Sequence, residues 1–392
     1  MANRFDLPPP SEEALAHSRR VAGYIAERIH RAGGWIDFSE FMDLALYAPG
    51  LGYYSAGAEK FGPAGDFVTA PEISALFGRC LANACCAWLR DSPDAVILEL
   101  GAGSGALAAE VLGALQGHGV VPARYLILEV SAGLRRRQQD TLQRLPQALR
   151  DTVEWLDELP QSPLRAIILA NEVADALPVT RFRKLEHDVM AQGVSVAGDG
   201  FAWAERPAGR ELRAAVAAIE SGLGRELDNG YTSEVSLRLP AWIDSIARII
   251  EAGAFLVCDY GMARREYYHP ERRDGTLLCH YRHRAHADPF LHPGLQDISA
   301  WVDFTAAAAA ADAAGLSVAG YSTQAHFLVD SGVLTELERL QTGQVRDRVA
   351  LAGQARRLLM PGEMGERFKV LAATRGRGHC DGFGFRDLRH LL

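Results

Sequence analysis

Cysteine is sparse in this chain and poorly arranged for bonding. The six residues are Cys80, Cys85, Cys86, Cys258, Cys279 and Cys380, with no C-x-x-C pair. That pattern offers no disulfide framework, and it reads as buried free thiols in a reducing compartment, Cys85-Cys86 within an apolar helical run. Long hydrophobic runs are missing as well. None approaches the roughly 18 residues of a membrane span, so no membrane insertion is expected. The first ten residues carry no apolar stretch, Glu12-Glu13 follow, and no Arg-rich, acid-poor leader is visible, so the expected location is cytoplasmic. Positive charge is in deficit: 41 Lys and Arg stand against 49 Asp and Glu, net −8. A nucleic-acid binder needs a basic face, so nucleic acid is not an expected partner. An acidic chain suits a cationic ligand or a basic peptide better. Internal repeats are absent, and the one low-complexity patch, Ala306–Ala311 ahead of Gly315, reads as an Ala-rich helix and its stop.

What is present is a chain of 392 residues, 48 % hydrophobic, enough for one large domain or two ordinary ones. Apolar residues at helical spacing predict a helix over 15–31, and Ser39 as N-cap predicts another to about Tyr47. A Gly/Pro-rich, aromatic-bearing stretch, 48–73, then leads into a helix over 74–90. Loops of that length and composition are more often functional than idle.

From Ala95 the pattern becomes strand, loop, helix, repeated. Strands are predicted at 96–100, 125–130, 153–156, 166–170 and 255–259. Two more, 318–327 and 368–373, flank a helix over 334–359. Apolar strands alternating with helices mean a mostly parallel sheet with helices on both faces, a Rossmann-like α/β fold. The expected organisation is an N-terminal helical arm and covering loop over 1–94, then a catalytic domain over 95–392 with insertions at about 179–252 and 261–304. The first insertion is read as a hairpin over 194–205 and helices over 211–222 and 236–253. The second is short on periodicity and rich in His, Arg, Tyr and Pro.

In such a sheet, ligands sit beyond the carboxyl ends of the strands. There stand Glu99 with the loop Gly101-Ala102-Gly103-Ser104-Gly105, Glu129, Asn171-Glu172 and Asp259. The glycines fit either the dinucleotide fingerprint, through Gly101, Gly103 and Ala106, or the G-x-G-x-G of methyltransferases. Charge separates the two readings. A pyrophosphate wants backbone N–H groups and no acids. S-adenosylmethionine carries an ammonium and a sulfonium, which Glu99, Glu129 and Glu172 would attract. Beyond strand four, Glu172 and Asp175 can grip a cationic acceptor, a guanidinium best of all; capping of a helix by Asn171 or Asp175 is the plainer alternative. Gly65–Ser74 reads either as a lid on the cofactor or as a surface loop capped by Ser74. His280, His283, His286 and His292 match no zinc spacing, and Arg282 and Arg284 interleave with them, so no metal is expected; His280 or His283 as a general base stays open.

Taken in order, Gly50–Tyr54, Gly65–Ser74, Glu99–Gly105, Asn171-Glu172 with Asp175–Pro178, Asp259–Gly261, Gly275–Leu277 and Asp297–Ser299 resemble the MidA-type family of S-adenosylmethionine-dependent methyltransferases, whose mitochondrial members assist complex I assembly. The resemblance runs from about Gly33 to Leu371. It implies a class I methyltransferase using S-adenosyl-L-methionine. It also implies arginine methylation, giving symmetric dimethylarginine, on a core subunit of the NADH:ubiquinone oxidoreductase or a similar protein. Carried onto this sequence, it places Glu99, Gly101, Ala102, Gly103, Gly105, Glu129, Val130, Leu156, Asn171 and Pro71 at the cofactor and Asn171, Glu172 and Asp175 at the acceptor. Val173-Ala174 departs from the bulkier residues expected before the Asp, which bears on the shape of the acceptor pocket. The absent transit segment fits a bacterial member. A homodimer stays open, as do two rival functions: a nicotinamide-dependent oxidoreductase and an assembly chaperone that keeps the fold without the activity.

Overall fold

A computed structural model of the chain describes residues 7–56, 69–341, 344–376 and 378–392. Residues Gly65–Val68 of the expected lid therefore lie outside the described residues. The chain forms two compact units, one of 1–67, 175–239 and 263–303, the other of 68–174, 240–262 and 304–392.

The second unit is built on a sheet of β1 Val96–Leu100, β2 Arg124–Leu128, β3 Val153–Leu156, β4 Leu164–Asn171, β5 Ile250–Met262, β6 Ser317–Thr323 and β7 Phe368–Arg375, in the order β6-β7-β5-β4-β1-β2-β3. The first five run parallel to one another; β7 is antiparallel to both β5 and β6. Every residue of β1 is buried, as a central strand covered on both faces requires. The core joins these strands to the helices Ala75–Asp91 and Ala106–Gly117, through Phe77, Leu107, Leu112, Ile127 and Leu169 among others.

Several boundaries differ from the sequence expectation, each for a local reason. The strand expected over 318–327 stops at Thr323, whose hydroxyl accepts from the His326 N–H and opens the helix Gln324–Asp330. The helix expected over 236–253 is Leu239–Arg248, because Ile250 already pairs with Leu164 as the start of β5. Gly253, at φ 140°, leaves no room for a Cβ, which would fall 1.9 Å from the Ala166 carbonyl oxygen. The helix expected over 334–359 is two, Val333–Leu340 and Val345–Leu359.

The first unit packs the helices Glu12–Arg31 and Phe38–Tyr47 with a five-stranded antiparallel sheet, which holds the hairpin Val189–Ala197/Gly200–Pro207. Asp37, not Ser39, caps the second helix: its carboxylate accepts from the Ser39 N–H at 2.8 Å. The His-rich stretch is ordered as well. Strands Leu278–Tyr281, Arg284–His286 and Asp297–Ser299 form a small sheet, with Arg282 and His283 at positive φ (46° and 62°) in its tight hairpin turn. Burial lowers the pKa of both His280 and His286.

Candidate functional site

The carboxyl ends of β1, β2 and β4 meet in the second unit, and there the glycine loop takes a shape that side chains would refuse. Gly101, Gly103 and Gly105 lie at φ 64°, 53° and 81°, the left-handed region that Cβ atoms disfavour. A Cβ on Gly105 would stand 3.0 Å from the Gln138 Cα, and one on Gly101 would stand 3.3 Å from the Val173 Cγ2. Gly105 is also the N-cap of the helix Ala106–Gly117, and Ala102 is buried beneath the loop. The result is a shallow cradle of backbone at a helix start.

Two acids flank the cradle. Glu99, on β1, is 3 % exposed, and its Oε2 accepts from the Tyr125 hydroxyl at 2.6 Å. Burial pushes its pKa up to about 7; the Tyr125 bond opposes the rise and the Glu129 charge adds to it. Glu129 follows β2 and is also buried. Its Oε1 accepts from the Ser131 N–H at 2.9 Å and its Oε2 from the Gln138 amide at 3.2 Å. Gln138 joins three parts of the site. Fully buried on the helix Ala132–Leu142, it donates also to the Gly103 carbonyl (3.1 Å) and accepts from the Trp155 indole (2.9 Å). Arg135, a turn earlier, binds the carbonyls of Glu129 and Leu156, while Val130 is exposed beside them.

Beyond β4, no helix follows Asn171 for it or Asp175 to cap. Glu172 instead adopts φ 54°, uncommon for a residue with a side chain. Its N–H donates to the Cys258 carbonyl, and its Oε1 accepts from the Ala70 N–H (3.1 Å) and the Asn171 Nδ2 (3.3 Å). Asp259 has a different task from the one its position at the end of a strand suggested. It is fully buried, and its Oδ2 accepts from the N–H groups of Val173 and Ala174 while its Oδ1 accepts from Tyr260. It clamps the loop. Pro71 is buried in the short helix Ala70–Ile73.

Asp175 belongs to the first unit. Its carbonyl accepts from the Ala300 N–H, and its charge, with that of Asp297, adds to the rise that burial imposes on the Tyr47 hydroxyl. Tyr47 donates to the Ala176 carbonyl and Tyr54 to Asp297. His280 and His283 also lie in this unit. Sequence reasoning missed Gln138, Arg135 and Tyr125. The first two sit in the polar run Arg135–Gln139, which offers no sign of which residue turns inward, and Tyr125 reads as one more apolar strand residue.

A glycine cradle ringed by carboxylates suits a cationic cofactor, and comparison with known proteins decides the matter. Residues 80–322, more than half the chain, match the family described as "putative S-adenosyl-L-methionine-dependent methyltransferase". The chain belongs to this family. A Burkholderia thailandensis protein described as a "likely methyl transferase", crystallised with S-adenosyl-homocysteine, is 41 % identical over 99 % of this chain and 100 % of its own, with a TM-score of 0.93. Among curated relatives, the mouse mitochondrial protein arginine methyltransferase NDUFAF7 is 30 % identical, covering 91 % of this chain and 85 % of its own length. The Drosophila homologue is 28 % identical over 94 % and 90 %. This family member is thus an S-adenosyl-L-methionine-dependent methyltransferase with the class I fold, and the dinucleotide reading of its glycine loop falls away.

Proposed function

We propose that this methyltransferase acts on arginine side chains of a protein substrate. The observation that carries the proposal is Glu172, a carboxylate fixed at positive φ and held by two N–H donors at the carboxyl end of β4. The names of the curated relatives support the same reading, and the family resemblance extends it to a core subunit of the NADH:ubiquinone oxidoreductase as acceptor.

The cradle Gly101–Gly105 with Glu99, Glu129, Val130 and Leu156 is assigned to the cofactor, which supplies an electrophilic methyl on sulfur. Glu129, with both oxygens directed by Ser131 and Gln138, suits ribose hydroxyls. Its amide partner also fixes Gly103, so the loop and the acid are set together. A guanidinium is a poor nucleophile because its lone pairs are delocalised and it is charged. A fixed carboxylate answers both problems by orienting one N–H edge and accepting the proton lost as the nitrogen–methyl bond forms and the sulfur–methyl bond breaks. We assign that role to Glu172, with Asn171 positioning it. No helix among the described residues is long and apolar enough to cross a membrane.

Transfer of labelled methyl from S-adenosylmethionine to a cell lysate, followed by mass spectrometry of the labelled protein, tests the proposal. Label on arginine that disappears with Glu172→Gln supports it. Label on another residue type, or none while Gly103→Val and Glu172→Ala leave the biological role intact, overturns it in favour of another acceptor or of a binding-only assembly factor.

A further inference from the structure

The backbone ladder between β2 and β3 ends in a long bond, from the Glu129 N–H to the Leu156 carbonyl at 3.3 Å. β3 is an edge strand, and β2 is the neighbour it pairs with. Past that last bond Arg135 takes over. Its Nε donates to the Glu129 carbonyl at 2.5 Å, and its Nη2 donates to the Leu156 carbonyl at 2.7 Å and to Asp157 Oδ1 at 2.6 Å. A guanidinium is planar and presents its donors as a rigid fork, so one side chain spans two strand ends at a set separation. Asp157 is 87 % exposed, and ion pairs at such exposure contribute little; the two carbonyls are the contacts that carry weight. Arg135 is itself anchored in the first turn of the helix Ala132–Leu142, where its N–H donates to the carbonyl of the N-cap, Ser131.

The grip on Glu129 has a second effect. The Glu129–Val130 peptide is trans, and a planar trans peptide points its C=O and N–H in opposite directions. With the Glu129 carbonyl turned to Arg135, the Val130 N–H is turned away from it. That direction is the side of the glycine loop. Backbone groups alternate sides along a strand, so the Val130 N–H shares its side with the Leu128 carbonyl, which accepts from the Gly101 N–H at 3.2 Å. Arg135 thus fixes a backbone donor on the cradle side of β2, while the Val130 side chain, 80 % exposed, offers apolar surface next to it.

We propose that Arg135 is a positioning residue of the cofactor site: by holding the Glu129–Val130 peptide it presents the Val130 N–H to an acceptor nitrogen of the adenine ring. The inference rests on the assignment of the cradle to the cofactor given above and is independent of the acceptor's identity. Glu129 is assigned there to the ribose hydroxyls, and Val130 follows it directly in the chain, as the base follows the ribose in the ligand. Adenine offers N1 and N3 as in-plane acceptors that carry no hydrogen, and an apolar ring face that suits Val130. Lysine would not serve in place of Arg135, because a single ammonium is a point donor and does not span two carbonyls.

Calorimetric titration of the full chain, Arg135→Met and Arg135→Lys tests this with S-adenosylhomocysteine and its 1-deaza and 3-deaza analogues, each of which replaces one ring nitrogen by C–H. The parent should bind one of the two analogues at least tenfold more weakly than S-adenosylhomocysteine, and which one identifies the nitrogen. Arg135→Met should weaken S-adenosylhomocysteine at least tenfold and leave that analogue within twofold, so the preference collapses; Arg135→Lys should keep part of it. The ratio of two affinities within one variant cancels any loss of folded protein. A side chain that only staples the sheet would weaken all three ligands by a common factor and keep the parent's preference, which overturns the proposal, as does a parent that binds all three equally. An unchanged S-adenosylhomocysteine affinity in Gly105→Ala refutes the cradle assignment instead, and the preference shown by Arg135→Met then decides this proposal alone.

Discussion

Replacing Gln138 by leucine keeps most of the side-chain volume and deletes the amide that joins the glycine loop, Glu129 and Trp155. Three partners lose a bond: the Gly103 carbonyl, Glu129 Oε2 and the Trp155 indole N–H. The Gly103 carbonyl and the half-buried indole retain some access to water, whereas Glu129 is 7 % exposed and its Oε2 loses the Gln138 amide. Unsatisfied buried groups cost about 1–3 kcal/mol each, so the loss is about 2–4 kcal/mol for the second unit. At about 2–4 °C per kcal/mol for a unit of roughly 200 residues, the thermal transition should fall by about 5–15 °C. Freed from Gln138, Glu129 also becomes mobile, and S-adenosylhomocysteine affinity should drop by about tenfold, the equivalent of about 1.4 kcal/mol. Differential scanning fluorimetry with and without ligand reads both effects. A variant that melts within a degree of the parent and binds the ligand unchanged would show that the three-way junction has no part in shaping the cradle.

Four further outcomes follow from the same geometry. Glu99 has its folded pKa raised from 4.5 to about 7, so the folded state holds a proton that the unfolded state has lost between those values. Stability contributed at this site is therefore highest at low pH and falls by about 3 kcal/mol as pH rises from about 4.5 through 7, and Glu99→Gln should flatten that limb of the stability–pH curve. Binding of the cationic cofactor favours ionised Glu99, so calorimetry near pH 7 in buffers of different ionisation enthalpy should register proton release, absent in Glu99→Gln. Gly105→Ala combines a left-handed backbone cost of about 1–2 kcal/mol with a 3.0 Å approach to Gln138; it should lower the melting temperature and weaken S-adenosylhomocysteine at least tenfold, whereas an unchanged affinity would mean the loop is not the cradle. Asp259→Asn cannot accept from three backbone N–H groups as the carboxylate does; turnover should fall at least tenfold through a loosened Glu172 loop, with S-adenosylhomocysteine affinity within threefold of the parent.

The sheet was legible in the sequence because a strand buried on both faces has to be largely apolar: Val96–Leu100, Glu99 apart, and Ala166–Ala170 could be little else. The glycine loop was legible because three alternating glycines after such a strand have a conformational purpose. Less visible was anything that depends on which polar residue turns inward. Gln138 and Gln139 are neighbours of equal polarity, and only tertiary packing buries the first. Asp259 and Glu172 both stand at the carboxyl ends of predicted strands, yet one accepts from backbone N–H groups and the other holds a left-handed bend; spacing along the chain does not distinguish them. The 261–304 stretch concealed its small sheet because its strands are three or four residues long, too short for alternation to register.

The position of β7 has a consequence for how the protein is made. It is the last strand of the sheet in sequence, yet it lies inside the sheet, between β5 and β6. Until residues 368–375 leave the ribosome, β5 and β6 have no partner between them, and a growing chain must carry the open edge of β5 while everything needed for the cofactor loop is already synthesised. Assembly of the second unit is therefore completed only after residues 368–375 have been translated. Chains stalled before residue 368 should remain protease-sensitive across the β5 region, and a late stop codon removes an interior strand rather than a dispensable tail.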